Sequence, residues 1–200
     1  MTPVGQTRLP AAERRQAIVE AALTVFSTGS YSGATTAQIA KEAGISEPIL
    51  YRHFSSKRDL YFACLDEAWE RLQAVFVEKL EGAGGASSAP GDFALRVRRN
   101  VRVLPPTLWM QALTEAGQDP EVASYLRRHM RDVHDFVAGS IRRSQANGWI
   151  DRDRDADAEA WIFLGGMLLL AVADRLGDVL SADDFAAIAA QRVKWLSGNG

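Results

Sequence analysis

Two short helical segments on either side of Gly44 are the feature that most narrows what this chain can fold into. Thr35 followed three residues later by Gln38 is a capping-box pair, which predicts that a helix begins there. Gly44 can adopt the left-handed conformation that ends a helix. Pro48 suits the first turn of the next helix, because its missing N–H would have no helical partner there. Two helices joined by so short a turn predict either a helix-turn-helix or an ordinary helical hairpin.

Helical spacing extends along most of the chain, whereas the alternation typical of strands is scarce. The pattern predicts an all-α protein of about nine helices. A glycine-rich stretch at residues 82–91, GAGGASSAPG, is predicted to be a loop. The predicted helices span residues 12–26, 35–43, a very short segment opened by Ser46 or Glu47, 56–80, 92–104, 107–116, 119–147, 156–174 and 181–196.

Composition limits the class of protein but does not give a function. The 200 residues, 47% of them hydrophobic, fit one compact domain or a small domain joined to a larger one. The net charge of −2 gives no global nucleic-acid signature, so any such function must come from local charge. The single cysteine, Cys64, excludes an intrachain disulfide framework. Residues 1–10 lack the apolar core of a signal sequence, and the longest nearly apolar run, 161–173, is shorter than the roughly 20 residues that span a bilayer. We therefore expect a soluble cytoplasmic protein with no membrane partner.

The segment GISEPILYRHFSSK, which begins at Gly44, combines apolar residues with groups that bind phosphate. If the leucine and phenylalanine of LYRHF point inward, Tyr51, Arg52 and His53 spread over the rest of the helix. Their side chains can all donate hydrogen bonds to phosphate oxygens. Lys57 lies at the opening of the next helix, where the dipole already favours an anion. This chemistry favours a helix-turn-helix over an ordinary hairpin, although a basic run is also typical of a solvated surface.

The run TTAQIAKEAGISEPILYRHFSSKRDL resembles the N-terminal DNA-binding region of the tetracycline-repressor (TetR) family of bacterial regulators. The similarity covers about residues 12–65, and its most specific part is LYRHF followed by Lys57 and Leu60. The resemblance implies an N-terminal three-helix DNA-binding domain over residues 10–57. It also implies a C-terminal helical domain for ligand binding and dimerisation over residues 58–197, a part of the chain with no family motif.

In that family the third helix enters the major groove, so the resemblance implies a role for each matching position. Contacts to the DNA backbone are implied for Thr35, Thr36, Tyr51, His53 and Lys57. Positions facing the groove are Ser46, Glu47, Pro48, Ile49 and Arg52. Arg52 is the main candidate for reading bases, because a guanidinium can bond guanine O6 and N7 together. Glu47 can be a helix cap, a partner of cytosine N4 or a carboxylate that repels some sequences. Many relatives carry a lysine or a small residue at the Glu47 and Pro48 positions, which leaves the operator sequence open.

The resemblance further implies that the last two helices form a homodimer interface. A dimer would place two recognition helices about one DNA turn, roughly 34 Å, apart on an imperfect palindrome. The same residues can equally be core of a single chain. The residues implied in the interface are Trp161, Gly165, Gly166, Leu169, Phe185, Ile188 and Trp195.

A cavity for a small-molecule effector is expected between the helices of the C-terminal domain. Its candidate lining is large and adaptable, which indicates an apolar or aromatic effector, although each residue can also be packed core. The candidates are Trp109, Met110, Leu113, Phe136, Phe163 and Met167.

Neither a metal nor a cofactor is expected. Residues 151–157, DRDRDAD, resemble a calcium loop, but Ala156 and Ile162 stand where a glycine and a bidentate glutamate are needed. A solvated loop with a helix cap is the better interpretation. His129 and His134 are five residues apart and lie on different faces of a helix.

Three functions remain open at this stage. A ligand-responsive, homodimeric repressor that binds a double-stranded DNA operator is favoured. The second is a helical enzyme or small-molecule carrier with a vestigial N-terminal hairpin. No glycine-rich phosphate loop, nucleophile elbow or paired catalytic carboxylate supports an enzyme. The third is a DNA-binding protein without an effector that acts architecturally or as an activator.

Overall fold

A computed structural model describes residues 10–81, 106–177 and 179–198, and within these ranges the regular structure is entirely helical. The all-α prediction is therefore confirmed. The predicted loop at 82–91 and the predicted helix at 92–104 lie outside the described residues, so eight of the nine expected helices are described. They are α1 (Ala11–Thr28), α2 (Thr36–Glu42), α3 (Glu47–Tyr51), α4 (Lys57–Glu81), α5 (Pro106–Ala116), α6 (Pro120–Ala146), α7 (Ala156–Leu176) and α8 (Ala182–Leu196).

Side-chain caps explain where several helices begin and end. The Thr35 hydroxyl accepts the Gln38 N–H at 3.2 Å while the Gln38 side chain accepts the Thr35 N–H at 2.9 Å, so the predicted capping box is confirmed. Gly44 has a φ of 65°, the left-handed conformation expected after α2. Asp119 and Asp155 cap α6 and α7 through backbone N–H groups of the first turn. The aspartate-rich loop before α7 therefore supplies a helix cap.

The start of α4 has one half of a capping box. Ser56 Oγ accepts the Asp59 N–H at 3.0 Å. The Asp59 carboxylate, however, bonds the N–H and the hydroxyl of Ser55, at 3.0 and 3.3 Å. The reciprocal bond is displaced by one residue because the carboxylate reaches the turn that precedes the helix.

Described residues up to Trp69 form one compact unit, and residues from Glu70 form a second, so the two units divide within α4. The functional boundary near residue 57 stays a prediction. In the N-terminal unit α2 contacts both α1 and α3. The inward orientation of the leucine and phenylalanine of LYRHF is confirmed, because Leu50 is 0% and Phe54 2% exposed. Burial of a side chain of this size contributes about 1.5–3 kcal/mol, which fixes α3 through its apolar side and leaves its polar side outward.

In the C-terminal unit α6 packs against both α5 and α7. A buried cluster of Val137, Ala138 and Ala160 marks the contact between α6 and α7. The window Ala156–Ala173 of α7 is long and apolar enough to cross a membrane by composition, a property shared with core helices of soluble proteins. Only 22% of that window is buried within the structure.

Candidate nucleic-acid interface

The polar side of α3 is the most accessible part of the predicted DNA-binding set. Tyr51 is 49% exposed although it is aromatic, and Thr36 is only 9% exposed. Thr35, Ser46, Pro48 and Arg52 are also exposed, whereas Glu47, Ile49, His53 and Lys57 are half-buried. The helix therefore presents both hydrogen-bonding and apolar groups to a partner, the mixture that base edges in a major groove require.

Arg52 occupies the C-cap position of α3. In the part of the chain that the structure describes, no hydrogen bond or ion pair holds its guanidinium. Five N–H donors in a rigid fork are thus available to a guanine edge or a phosphate. Its role as a base reader stays a prediction, and the geometry supports it.

A hydrogen-bond network joins the start of α2 to both ends of α3. The buried Thr36 hydroxyl donates to the Glu47 carboxylate at the first position of α3. The same hydroxyl oxygen lies 3.1 Å from the phenol oxygen of Tyr51 at the last position of α3. The alternatives stated for Glu47 stay open. The structure adds a contact with Thr36 that the sequence does not reveal. Phosphate contacts by Thr36 and Tyr51 stay predictions, and both hydroxyls already have partners within the protein.

Lys57 has a structural role beside any contact with DNA. Its ammonium donates to the carbonyl oxygens of Tyr31 and Ala34 at 2.7 and 3.0 Å and lies 4.4 Å from the centroid of the Tyr31 ring. These two bonds occupy two of its three N–H groups. Lys57 therefore holds the turn after α1 against the start of α4.

The N-terminal unit also contains a basic group that sequence reasoning did not single out. The guanidinium of Arg15 lies 4.7 Å from the centroid of the Phe54 ring, next to the end of α3. An arginine over an aromatic face is attracted by the ring quadrupole. A separation of 39 residues between Arg15 and Phe54 leaves no local signal for this pairing.

The structure divides the predicted effector-binding residues into separate groups. Phe136 and Phe163 each pack against the buried cluster between α6 and α7. Trp109 instead faces the buried ring of His129, with 6.0 Å between ring centroids. Leu113 is 37% exposed, while Met110 and Met167 are half-buried. An effector cavity stays a prediction.

Two aromatic residues of α6, Tyr125 and His129, were not among the residues predicted to line an effector cavity. The rings of Tyr125 and His129 stack with 5.7 Å between centroids, and both side chains are buried. Their spacing of four residues on one helix places them on the same face, a signal that the sequence does contain. Together with Trp109 they form a group of three rings between α5 and α6.

Most of the predicted dimer residues lie on the surface of the single chain. Trp161, Leu169 and Ile188 are 44–47% exposed, and Phe185 is half-buried. Among the described residues, no other part of the chain lies within 4 Å of the point where a Cβ would stand on Gly165 or Gly166. Within that described part, the space beside these two glycines of α7 is open.

Trp195 is exposed but is also fixed from within its own chain. Its indole Nε1 donates to Glu159 at 2.7 Å, and the Arg154 guanidinium lies 3.8 Å from its ring centroid. Glu159 is only 4% exposed and also pairs with Arg192. This buried carboxylate links α7 to α8, which sequence reasoning did not anticipate.

Comparisons with known proteins agree with the geometry. Residues 18–64 match the sequence pattern of the bacterial regulatory proteins of the tetR family. The transcriptional activator FasR of Mycolicibacterium smegmatis is 46% identical over 65 residues, which are 32% of this chain and 30% of FasR. The DNA-binding transcriptional repressor TetR of Mycobacteroides abscessus is 29% identical over 175 residues, covering 82% of this chain and 90% of that protein. The structure of Salmonella enterica GusR superimposes with a TM-score of 0.74 over 96% of this chain and 99% of GusR, at 22% identity, which shows a shared fold.

Proposed function

This chain belongs to the TetR family of bacterial regulatory proteins, and from that premise we propose that it is a homodimeric repressor that binds a palindromic operator and is released by a small-molecule effector. It carries a helix-turn-helix DNA-binding domain, and its relatives are transcriptional regulators. Catalysis forms no part of the proposal, and the site of action is the cytoplasm.

The observation that carries the proposal is the geometry of α3. The helix is fixed by Leu50 and Phe54 on its buried side and presents Tyr51 and Arg52 on the other. A side chain that bonds two acceptors on one guanine can discriminate between base pairs by about 1–3 kcal/mol. We assign base reading to Arg52 and contacts to the DNA backbone to its neighbours.

Exposed apolar residues on the last two helices support the homodimer. Trp161, Leu169 and Ile188 are nearly half exposed, and the open space at Gly165 allows another helix to approach closely. Large exposed apolar patches mark interaction sites in soluble proteins. In a twofold dimer the same patch serves both subunits, and the two copies of α3 would then read two half-sites.

The aromatic groups of the C-terminal unit support an apolar or aromatic effector. Phe136 and Phe163 pack against the cluster between α6 and α7, and Trp109 of α5 lies beside His129 of α6, which stacks on Tyr125. An effector bound among these rings would favour a conformer whose two reading helices no longer fit the operator. The shift in DNA affinity is limited by the preference of the effector for that conformer.

The test begins with selection of bound sequences from random DNA by the purified protein. We expect an enriched imperfect palindrome, a dimer in sedimentation at micromolar concentration and release by at least one compound of an aromatic library. Failure to enrich any sequence would contradict the repressor function. Enrichment without any releasing compound would instead favour a DNA-binding protein without an effector.

A second candidate, a transcriptional activator, is favoured by one comparison. The activator FasR is 46% identical over 65 residues, which are 32% of this chain. A reporter gene behind the selected operator separates the two functions. Its expression should rise on deletion of the regulator if the protein is a repressor, and fall if the protein is an activator.

A further inference from the structure

Two hydrogen bonds in series, here called the relay, join the hydroxyl of Tyr51, the hydroxyl of Thr36 and the carboxylate of Glu47. Chemistry determines which group donates in each bond. An ionised carboxylate only accepts hydrogen bonds, so the single hydroxyl proton of Thr36 points to Glu47. The Thr36 oxygen can then accept from the Tyr51 hydroxyl, which lies 3.1 Å away. The relay therefore runs from Tyr51 through Thr36 to Glu47, and its middle member is buried.

This direction has a consequence for the binding of phosphate. Tyrosine has one hydroxyl proton, and in the relay that proton is directed to Thr36. The oxygens of a DNA phosphate accept hydrogen bonds and cannot donate one. Tyr51 is 49% exposed and next to Arg52, so a donation from its hydroxyl to a phosphate requires the loss of its bond to Thr36.

We propose that Glu47 is a latch that lowers the affinity of this protein for DNA of any sequence by directing the hydroxyl protons of Thr36 and Tyr51 into the protein. The inference rests on the proposed DNA-binding function and assigns a regulatory role within it. Without the carboxylate, Thr36 can donate to the Tyr51 oxygen across the same 3.1 Å. The Tyr51 proton then becomes available to a phosphate without any movement of the backbone.

The latch acts on affinity and not on sequence preference. Contacts to phosphate position a protein on the duplex but carry no sequence information directly. A hydrogen bond to an ionised phosphate is roughly twice as strong as one between neutral groups, so release of the Tyr51 proton strengthens binding. Glu47 thus weakens binding to operator and to other DNA by the same factor, and discrimination stays with the groove-facing residues.

The experiment measures dissociation constants for a duplex carrying the selected operator and for a scrambled duplex, by fluorescence anisotropy at one salt concentration. Glu47→Ala is expected to bind both duplexes about fivefold more tightly per subunit, the value of roughly one net hydrogen bond. Glu47→Gln, which keeps the size of the side chain, should show a similar gain because its amide N–H can donate to Thr36 and reverse the relay. Thermal unfolding of each variant confirms that the fold is retained.

The decisive comparison repeats Glu47→Ala in a Tyr51→Phe background. The gain in affinity should disappear there, because the phenyl ring has no proton to release. An equal gain in both backgrounds would show simple repulsion between Glu47 and phosphate and would overturn the latch. A loss of affinity in Glu47→Ala would also overturn it, in favour of a direct contact between Glu47 and a base. If the wild-type protein and every variant bind neither duplex, the proposed function itself fails.

Discussion

Replacing Lys57 with methionine tests whether this residue stabilises the N-terminal unit in the absence of DNA. The ammonium donates to two carbonyl oxygens at 2.7 and 3.0 Å and lies 4.4 Å from the centroid of the Tyr31 ring. Each hydrogen bond from a charged group contributes about 1.5 kcal/mol at the low end of its range, and the partial exposure of Lys57 reduces that value to about 1. The contact with the ring adds about 0.5 kcal/mol. Because methionine keeps most of the aliphatic stem, we expect Lys57→Met to lower the free energy of unfolding by about 2–3 kcal/mol.

Urea denaturation followed by circular dichroism measures this effect at one fixed protein concentration. Lys41→Met is the matched control, since Lys41 is an exposed lysine of the same unit and surface substitutions usually change stability by less than about 0.5 kcal/mol. Equal stability of the two variants would refute a structural role for Lys57. A separate decrease of about one in the salt dependence of DNA binding would show that Lys57 also contacts phosphate.

Three further predictions concern the stability of the fold and the burial of single side chains. Gly44→Ala should lower the free energy of unfolding by about 1–2 kcal/mol in urea, because its φ of 65° strains any side chain even though space is available; unchanged stability would contradict this. Burial raises the pKa of the Cys64 thiol, so the native protein should resist alkylation at pH 8, and stability should fall as the pH rises above about 8.5, where the unfolded thiol ionises. Rapid labelling of the native thiol would contradict its burial. Glu159→Ala should lower the free energy of unfolding by about 2–3 kcal/mol in the same assay, because Arg192 and the Trp195 N–H lose a buried acceptor. An unchanged free energy of unfolding would show that water replaces the carboxylate.

Features that depend on neighbouring residues could be predicted from the sequence. The capping box at Thr35 and the left-handed Gly44 were both predicted, because each depends on residues within four positions of one another. The inward orientation of Leu50 and Phe54 followed from helical spacing in the same way. Local chemistry therefore determined the limits of the helices and the side of α3 that is buried.

Contacts between distant segments could not be predicted from the same patterns. The bond from Thr36 to Glu47 spans 11 residues and that from Lys57 to Tyr31 spans 26, and both depend on how the helices pack. The family resemblance implied contacts with phosphate for Thr36 and Lys57 and carried no information on their partners within the chain. The structure adds that both groups already have partners inside the protein, which changes what their substitution tests.

In the C-terminal unit, too, contacts between distant segments could not be predicted from the sequence. Trp161 is exposed, and its place in a dimer interface stays a prediction. The buried Glu159 beside Trp195 has no local signal, since charged residues in helices usually face water. The group of rings at Trp109, Tyr125 and His129 depends on the packing of α5 against α6. Where helices cross could not be predicted from periodicity, which specifies only the side that each helix buries.

The most direct test of DNA reading by α3 is a comparison of the sequences that the wild-type protein and Arg52→Ala select from random DNA. We expect the wild type to enrich a palindrome with half-sites about one helical turn apart. Arg52→Ala should keep the same spacing but lose preference at one position in each half-site, at a cost of about 1–3 kcal/mol for that base pair. An unchanged pattern of preference would remove Arg52 as a base reader, and a wild-type protein that enriches no sequence would contradict DNA reading altogether.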